Sequence, residues 1–562
     1  MNVKMIMVFE AKTPGDLRPH ERDSDLLSPQ RRARSRRWAG IRPPERPDLA
    51  PRPGRWRSGV ENRGHLGDIR LMKAQPLLAT VFPMILLLPI ALLGVVQSAT
   101  SLGPRLSHCA IGRSKTPAEC GTFGVYENRA ARSGRVIQLS VVVLKAAHPT
   151  NKAIAFVAGG PGSSAVFFAP LVADGAYVKA LTVLHDRYDI MFVDSRGMGG
   201  SNAFACDFVP ASNRKAYFRQ LFPDAIVSTC RSKSATTRNL SFYNTMNAVD
   251  DLDDVRNALH YPKLVLSGGS YGTFFSLVYI RQHPTRVSSA ILDGVTAPHF
   301  QPLPGSPDGA QAALDDLIVK CRHDHTCSTH FPAFKQHFNS VMLGFNRGPL
   351  SVPVKSGTGA ASETVPLSKE VFVDRLRQAL YDPQNAATVP FVIERAYHGD
   401  YVPMGELVDG MSRALAQAVD WGAFLSYTCA DEIPFISERD IRRAAYRSFA
   451  GDVRFRAQQR ACSIWNVASM PPSFNAAVHS ELPILMITGS DDPTTPPRSA
   501  AEARRFLPNA RQVIVLGAGH TTETPCTDAL IVQFVRAGSA KNLNVLHCSA
   551  AFTTPPFATS DT

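Results

Sequence analysis

The chain has 562 residues, 44% of them hydrophobic, and a formal net charge of +14. That length exceeds one simple core and implies two lobes and a tail. Residues 1–71 carry 16 Lys and Arg against 9 Asp and Glu, a net of +7, and everything from residue 74 carries about +6 with no basic run, which sets nucleic-acid binding aside.

Residues 1–71 are rich in Arg and Pro and lack apolar periodicity. Arg31-Arg32-Ala33-Arg34-Ser35-Arg36-Arg37 offers a nucleic-acid arm as one reading. The stretch reads better as disordered, or as an extension outside the natural product. Met72-Lys73 then opens a signal-peptide pattern over 72–99: one positive charge, an apolar run over 77–96, then Ser98 and Ala99. Met72 is the expected start and cleavage is expected near 98–100. An uncleaved anchor is the alternative, since the apolar run is long enough to span a bilayer. A membrane is expected as a partner only through that segment.

Ten cysteines follow, at 109, 120, 206, 230, 321, 327, 429, 462, 526 and 548. An even number, all downstream of the apolar segment, points to disulfides and an oxidising compartment, secreted or periplasmic. Spacing alone does not give the pairing. Proximity along the chain suggests Cys109–Cys120, Cys206–Cys230, Cys321–Cys327, Cys429–Cys462 and Cys526–Cys548. No C-x₂-C pair is present, which argues against zinc.

Alternating apolar residues at 122–126 and 135–144 predict antiparallel strands at the start of a mixed sheet. Buried strands are predicted at 153–158, 188–193, 263–267, 288–292, 482–488 and 512–516, with helical stretches between several of them. Strands alternating with helices imply a mostly parallel α/β sheet flanked by helices. From 300 to 480 the alternation stops. Apolar spacing at 311–320, 368–380 and 408–419 predicts a mainly helical cap inserted between core parts 105–299 and 481–550. The Pro- and Thr-rich end, 551–562, is expected to be loose.

The chemistry centres on Gly268-Gly269-Ser270-Tyr271-Gly272, between a predicted strand and the helix predicted over 273–283. Strand, G-x-S-x-G, helix is the context of a nucleophile elbow, which holds a serine hydroxyl exposed above a sheet. A serine needs a base, and histidine titrates near neutrality. The base in turn needs an acid to orient it. His520, in Gly517-Ala518-Gly519-His520, and Asp492, in Gly489-Ser490-Asp491-Asp492-Pro493, each follow a predicted strand. Strand C-terminal ends are where sites form in open α/β sheets. Asp491 and Asp293 are the alternatives for the acid. The N–H of Tyr271 and that of Gly160, in Gly159-Gly160-Pro161-Gly162, are the candidate oxyanion donors. Asp194-Ser195-Arg196-Gly197 reads as architectural. No Lys-Ser/Thr follows the Gly159 loop, so it is not a phosphate loop. No cofactor is called for.

These motifs, together with Asp251-Leu252-Asp253-Asp254, Leu292-Asp293-Gly294-Val295 and the Cys526…Cys548 tail, resemble the secreted tripeptidyl aminopeptidase and proline iminopeptidase branch of α/β-hydrolase serine peptidases. The resemblance spans about residues 105–550. It implies an α/β-hydrolase fold and a serine hydrolase that releases residues or short peptides from free N-termini through an acyl-enzyme. A carboxylesterase or lipase-like enzyme on the same triad is the second reading, and a non-catalytic binding protein the third. Proline iminopeptidases usually carry His where Ala158 stands, which counts against strict proline specificity. Related enzymes place an acid after a cap cysteine to hold the substrate ammonium. Asp431 and Glu432, in Cys429-Ala430-Asp431-Glu432, stand at that place, with ordinary solvated loop charges as the alternative.

Overall fold

The computed structural model describes residues 102–204, 206–210, 213–300, 304–355 and 362–560. The extension and signal-peptide segments at 1–71 and 72–99 lie outside the described residues. Among the described residues eleven strands are formed: β1 (Gly103–Ile111), β2 (Thr116–Tyr126), β3 (Val136–Leu144), β4 (Ala153–Val157), β5 (Asp189–Val193), β6 (Leu264–Gly269), β7 (Val287–Asp293), β8 (Leu350–Lys355), β9 (Ser362–Leu367), β10 (Ile484–Gly489) and β11 (Ala510–Val515). Nine of them make one sheet in the order β1-β2-β3-β5-β4-β6-β7-β10-β11. The β1/β2, β2/β3 and β3/β5 pairs are antiparallel, and every pair from β5 onward is parallel. This is the mixed sheet expected, with one addition. β1 was not anticipated, because none of its residues is fully buried and they carry no apolar alternation.

The central strands are continuous apolar runs because both faces of the sheet are covered. Side chains alternate between two cores with period two. Leu264 and Leu266 of β6 enter one core and Val265 the other, while Ile484 and Met486 of β10 separate from Leu485 and Ile487 in the same way. The helix Tyr271–Gln282 fills the first core with Phe274, Phe275, Leu277, Val278 and Ile280.

Between β7 and β10 the chain leaves the sheet and builds the cap. Pro307–His323, Lys369–Ala379 and Val402–Ala418 are helices where the apolar spacing placed them. The cap also holds the antiparallel hairpin β8/β9, which helical spacing did not foresee. Pro353 and Pro366 disguise these strands, yet proline is tolerated in a two-stranded ribbon where both strands are edges. The C-terminal segment corrects a second expectation. It is irregular but packed rather than loose: Ala558 N–H donates to the Ala387 carbonyl at 3.2 Å, and Phe552 and Phe557 pack against the two cores.

All ten cysteines pair, as Cys109–Cys120, Cys206–Cys230, Cys321–Cys327, Cys429–Cys462 and Cys526–Cys548. Five disulfides fit an oxidising compartment. Among the described residues no helix is long and apolar enough to cross a membrane.

The loop after β5 is held by a buried ion pair. Arg196 Nε and Nη2 each donate to Asp251 at 2.7 Å, and Arg196 Nη1 donates to the Glu127 and Phe242 carbonyls at 2.9 Å. Asp194 accepts from Ser164 Oγ, Val166 N–H and Gly200 N–H at 2.8 to 2.9 Å. Both residues are therefore architectural. Removing one member of a buried pair strands the other charge. Asp251→Ala is expected to lower the unfolding free energy in urea by about 3–5 kcal/mol. Asp254→Ala, at a half-exposed partner of Arg129, should cost about 0–1 kcal/mol. Equal losses at the two sites would contradict this role.

Candidate active site

Ser270 sits between β6 and the helix that Tyr271 opens, with φ 54° and ψ −122°. A non-glycine residue there is strained. The strain is over-determined by close backbone contacts. A Cβ on Gly268 would lie 2.3 Å from the Gly272 carbonyl oxygen, and one on Gly272 would lie 2.2 Å from that of Val157 in β4. Only glycine admits these approaches. Ser270 N–H donates to the Asp293 carbonyl at 2.8 Å, tying the elbow to the end of β7.

His520 lies on the other side of that same strand end. A Cβ on Gly294 would be 3.2 Å from its Cε1. His520 Nδ1 is 2.8 Å from Asp492 Oδ2. Asp492 is fully hydrogen-bonded, accepting also from Thr494 N–H at 2.8 Å, Thr495 N–H at 2.9 Å and Thr495 Oγ1 at 2.6 Å. Burial works to raise its pKa, but the His520 charge and these hydrogen bonds outweigh burial, and the net direction is down. Burial likewise works against charge on His520, yet Asp492 prevails and raises it from 6.5 to about 9. The two rival acids are engaged elsewhere. Asp491 pairs with Lys320, and Asp293 accepts from Thr522 Oγ1 at 2.7 Å and is pushed up to about 7 by burial.

Gly160, Ser270 and Tyr271 line one cavity of about 160 Å³. Tyr271 is the first residue of its helix, so its N–H is one of those a helix leaves without an internal partner. Pro161 has no N–H, and Gly160, the candidate donor of the facing loop, lines the cavity with Ser270. The glycine loop is pinned to the cap, since Asp420 N–H donates to the Gly162 carbonyl and Ser163 Oγ to that of Ala418, both at 2.9 Å.

Asp431 and Glu432 line the same cavity, Asp431 buried and Glu432 partly exposed. They end the helix Trp421–Asp431, every residue of which is buried. Cys429–Cys462 and a 2.9 Å bond from Trp465 Nε1 to Ser426 Oγ clamp that helix to the helix Val453–Trp465. Asp431 accepts from Thr245 N–H at 2.9 Å and Thr245 Oγ1 at 2.6 Å, and Thr245 Oγ1 is 2.7 Å from the Tyr271 hydroxyl. The cap acid is thus linked to the residue after the serine. Burial pushes Asp431 up to about 7 against the Thr245 bonds, and Glu432 up to about 8 against the pull of Arg454.

Sequence reasoning missed the rest of the cavity wall. Tyr381 takes the His520 N–H on its carbonyl at 2.7 Å, and its ring centroid stands 5.1 Å from the imidazole. Arg377 Nη1 donates to the Tyr381 hydroxyl at 2.5 Å. Arg377 lies in the last turn of the helix Lys369–Ala379 and Tyr381 two residues beyond its end, and neither gives a local signal of its place in the wall.

A model of the alpha/beta hydrolase fold family matches residues 152–522. The chain belongs to that family. It is similar to serine protease Hip1 of Mycobacterium tuberculosis, 23% identical over 75% of this chain and 86% of the relative. It is similar to carboxylesterase B of the same species, 24% identical over 75% of this chain and 85% of the relative. A shorter likeness, 29% identical over 32% of this chain and 36% of the relative, is to tripeptidyl aminopeptidase of Streptomyces lividans. The chain is a serine hydrolase of this fold, and the relatives divide between peptidase and esterase.

A group whose folded pKa is raised contributes stability that is complete below its unfolded pKa and lost above its folded one. For the His520–Asp492 pair that stability is full below about 6.5 and disappears as pH rises through about 9. The His520 imidazole should titrate near 9 by NMR, and Asp492→Asn should bring the midpoint down toward 6.5. A wild-type midpoint at or below 6.5 would contradict the coupling.

Proposed function

We propose that the chain is an exported serine aminopeptidase, secreted or periplasmic, that releases residues or short peptides from free N-termini. The observation that carries this reading is the placement of Asp431 and Glu432 in the cavity that Ser270 lines. Two carboxylates in a largely desolvated pocket match a substrate ammonium through charge-assisted hydrogen bonds. An arriving ammonium favours their charged forms and reverses the upward shift that burial imposes.

In the reaction, Ser270 Oγ attacks the scissile carbonyl carbon and its proton passes to His520 Nε2. Asp492 holds the imidazole by Nδ1 and stabilises its charged form. The oxyanion of the tetrahedral intermediate takes hydrogen bonds from the Gly160 and Tyr271 N–H groups. The intermediate collapses as His520 gives its proton to the leaving amine. Water, activated by the same histidine, then attacks the ester of the acyl-enzyme, releasing the acid and restoring Ser270. The cap walls the pocket and limits the acyl part to a short segment.

The likeness to carboxylesterase B supports ester hydrolysis as the second reading. An ester acyl group needs no ammonium partner. The test is protein made from Met72, assayed on Pro-, Ala- and tripeptidyl chromogenic amides with free and blocked N-termini, and on a short-chain ester. The aminopeptidase reading predicts amide cleavage only with a free amine. It also predicts kcat/KM rising with pH toward about 9, since His520 must be neutral to accept the proton. Ser270→Ala should reduce turnover by at least ~10⁴-fold in a folded protein. Ester cleavage alone would move the enzyme to the second reading.

A further inference from the structure

Beside the two acids, the cavity wall carries buried positive charge that the reaction does not use. Arg377 and Arg454 both line the cavity, and their side chains are only 7% and 13% exposed. Arg375 stands behind them, fully buried. The three guanidinium groups share one carboxylate, Asp374. Arg375 Nη1 reaches it at 2.5 Å, Arg377 Nη2 at 3.4 Å, and Arg454 Nη1 only at 3.8 Å, beyond hydrogen-bond range.

Arg454 Nη1 and Arg377 Nε are buried and have no hydrogen-bond partner among the described residues. Arg454 is held instead by ring faces, with its guanidinium carbon 5.1 Å from the Phe222 centroid, 5.7 Å from Phe424 and 6.0 Å from Trp421. Gly305 packs close to its stem, where a Cβ would lie 2.8 Å from Arg454 Cβ. Ring and stem contacts fix the guanidinium yet leave N–H groups unbonded.

Burying three cations around one anion is costly unless another anion completes the set. Within the chain, the Tyr381 hydroxyl accepts from Arg377 at 2.5 Å, and Glu432 lines the same cavity, but burial favours the neutral form of Glu432. A planar carboxylate from the substrate meets the need, because it accepts two parallel N–H bonds from a guanidinium edge.

We propose that the cavity is a two-charge site for an N-terminal peptide segment bearing an acidic side chain. The segment's ammonium sits at Asp431 and Glu432, and its Asp or Glu carboxylate at Arg454 and Arg377. The proposal rests on the aminopeptidase reading and adds the acyl-side specificity. Ligand carboxylates have a second source, the free C-terminus of a short peptide, and the test separates the two.

The experiment is calorimetric titration of the Ser270→Ala chain, which does not consume the ligand. The probes are Glu-Ala-Ala and Gln-Ala-Ala, and Ala-Glu-Ala and Ala-Gln-Ala, each as C-terminal acid and C-terminal amide. In at least one pair the Glu peptide should bind about 10- to 100-fold tighter than its Gln counterpart, in the amide form as well as the acid. Adding Arg454→Gln should bring that ratio near one, while Arg454→Lys keeps part of it. Equal binding of Glu and Gln forms in every pair overturns the proposal, as does the absence of binding by any peptide. A preference for acid over amide with no Glu/Gln difference also overturns it and assigns the arginines to a leaving-side carboxylate. The Glu/Gln comparison at the unaltered arginines decides the matter even if an Arg454 variant does not fold. Because the titration needs no turnover, its failure is distinct from loss of Ser270-dependent hydrolysis, which would remove the aminopeptidase reading itself.

Discussion

The site depends on a steric constraint among three backbones. β4, β6 and the helix after Ser270 approach so closely that Gly268 and Gly272 have no room for a side chain. That approach forces the chain to turn within one residue, and the residue at the turn takes φ 54°. The cost of such a conformation is about 1–3 kcal/mol. It is met by the cores on both faces of the sheet, which hold β4 and β6 in register. The same device recurs at the other end of the sheet. A Cβ on Gly489 would fall 2.0 Å from the Gly519 carbonyl oxygen, and one on Gly519 would fall 2.3 Å from that of Tyr381. The Asp492 and His520 loops are thus seated against each other and against the cap.

The cap supplies electrostatics that the sheet lacks. Asp431, Glu432, Arg377 and Arg454 all come from cap helices or their ends, yet they line the cavity under which Ser270 stands. Their burial makes charge expensive in the empty cavity. A substrate carrying complementary charge relieves that cost, so binding energy is directed to orientation. The Cys429–Cys462 bridge matters here because it joins the helix bearing the acids to the helix bearing Arg454.

The parts legible in the sequence are those set by local pattern. β4 is apolar throughout and β6 and β10 open on apolar runs because both faces are buried, and the elbow and the loops before Asp492 and His520 announce themselves by glycine and by strand ends. The cysteine pairs are neighbours along the chain, so proximity finds them. What stays hidden depends on distant packing. β1 lies exposed on the sheet edge and shows no alternation. β8 and β9 carry prolines. Asp431 and Glu432 can be picked out only by resemblance, and their burial only by structure. Arg377, Tyr381 and Arg454 lie more than a hundred residues from Ser270, and no local spacing marks them as its neighbours. The C-terminal segment reads as loose by composition but is recruited by Phe552 and Phe557 to the two cores.

The central claim is that the strained serine is an activated nucleophile. The most direct measurement treats the folded chain with a fluorophosphonate and maps the adduct by peptide mass spectrometry. The account predicts a single covalent adduct on Ser270, formed at a rate that falls sharply in His520→Ala. No adduct on the wild-type chain, or an adduct on another serine with Ser270 unmodified, would contradict it.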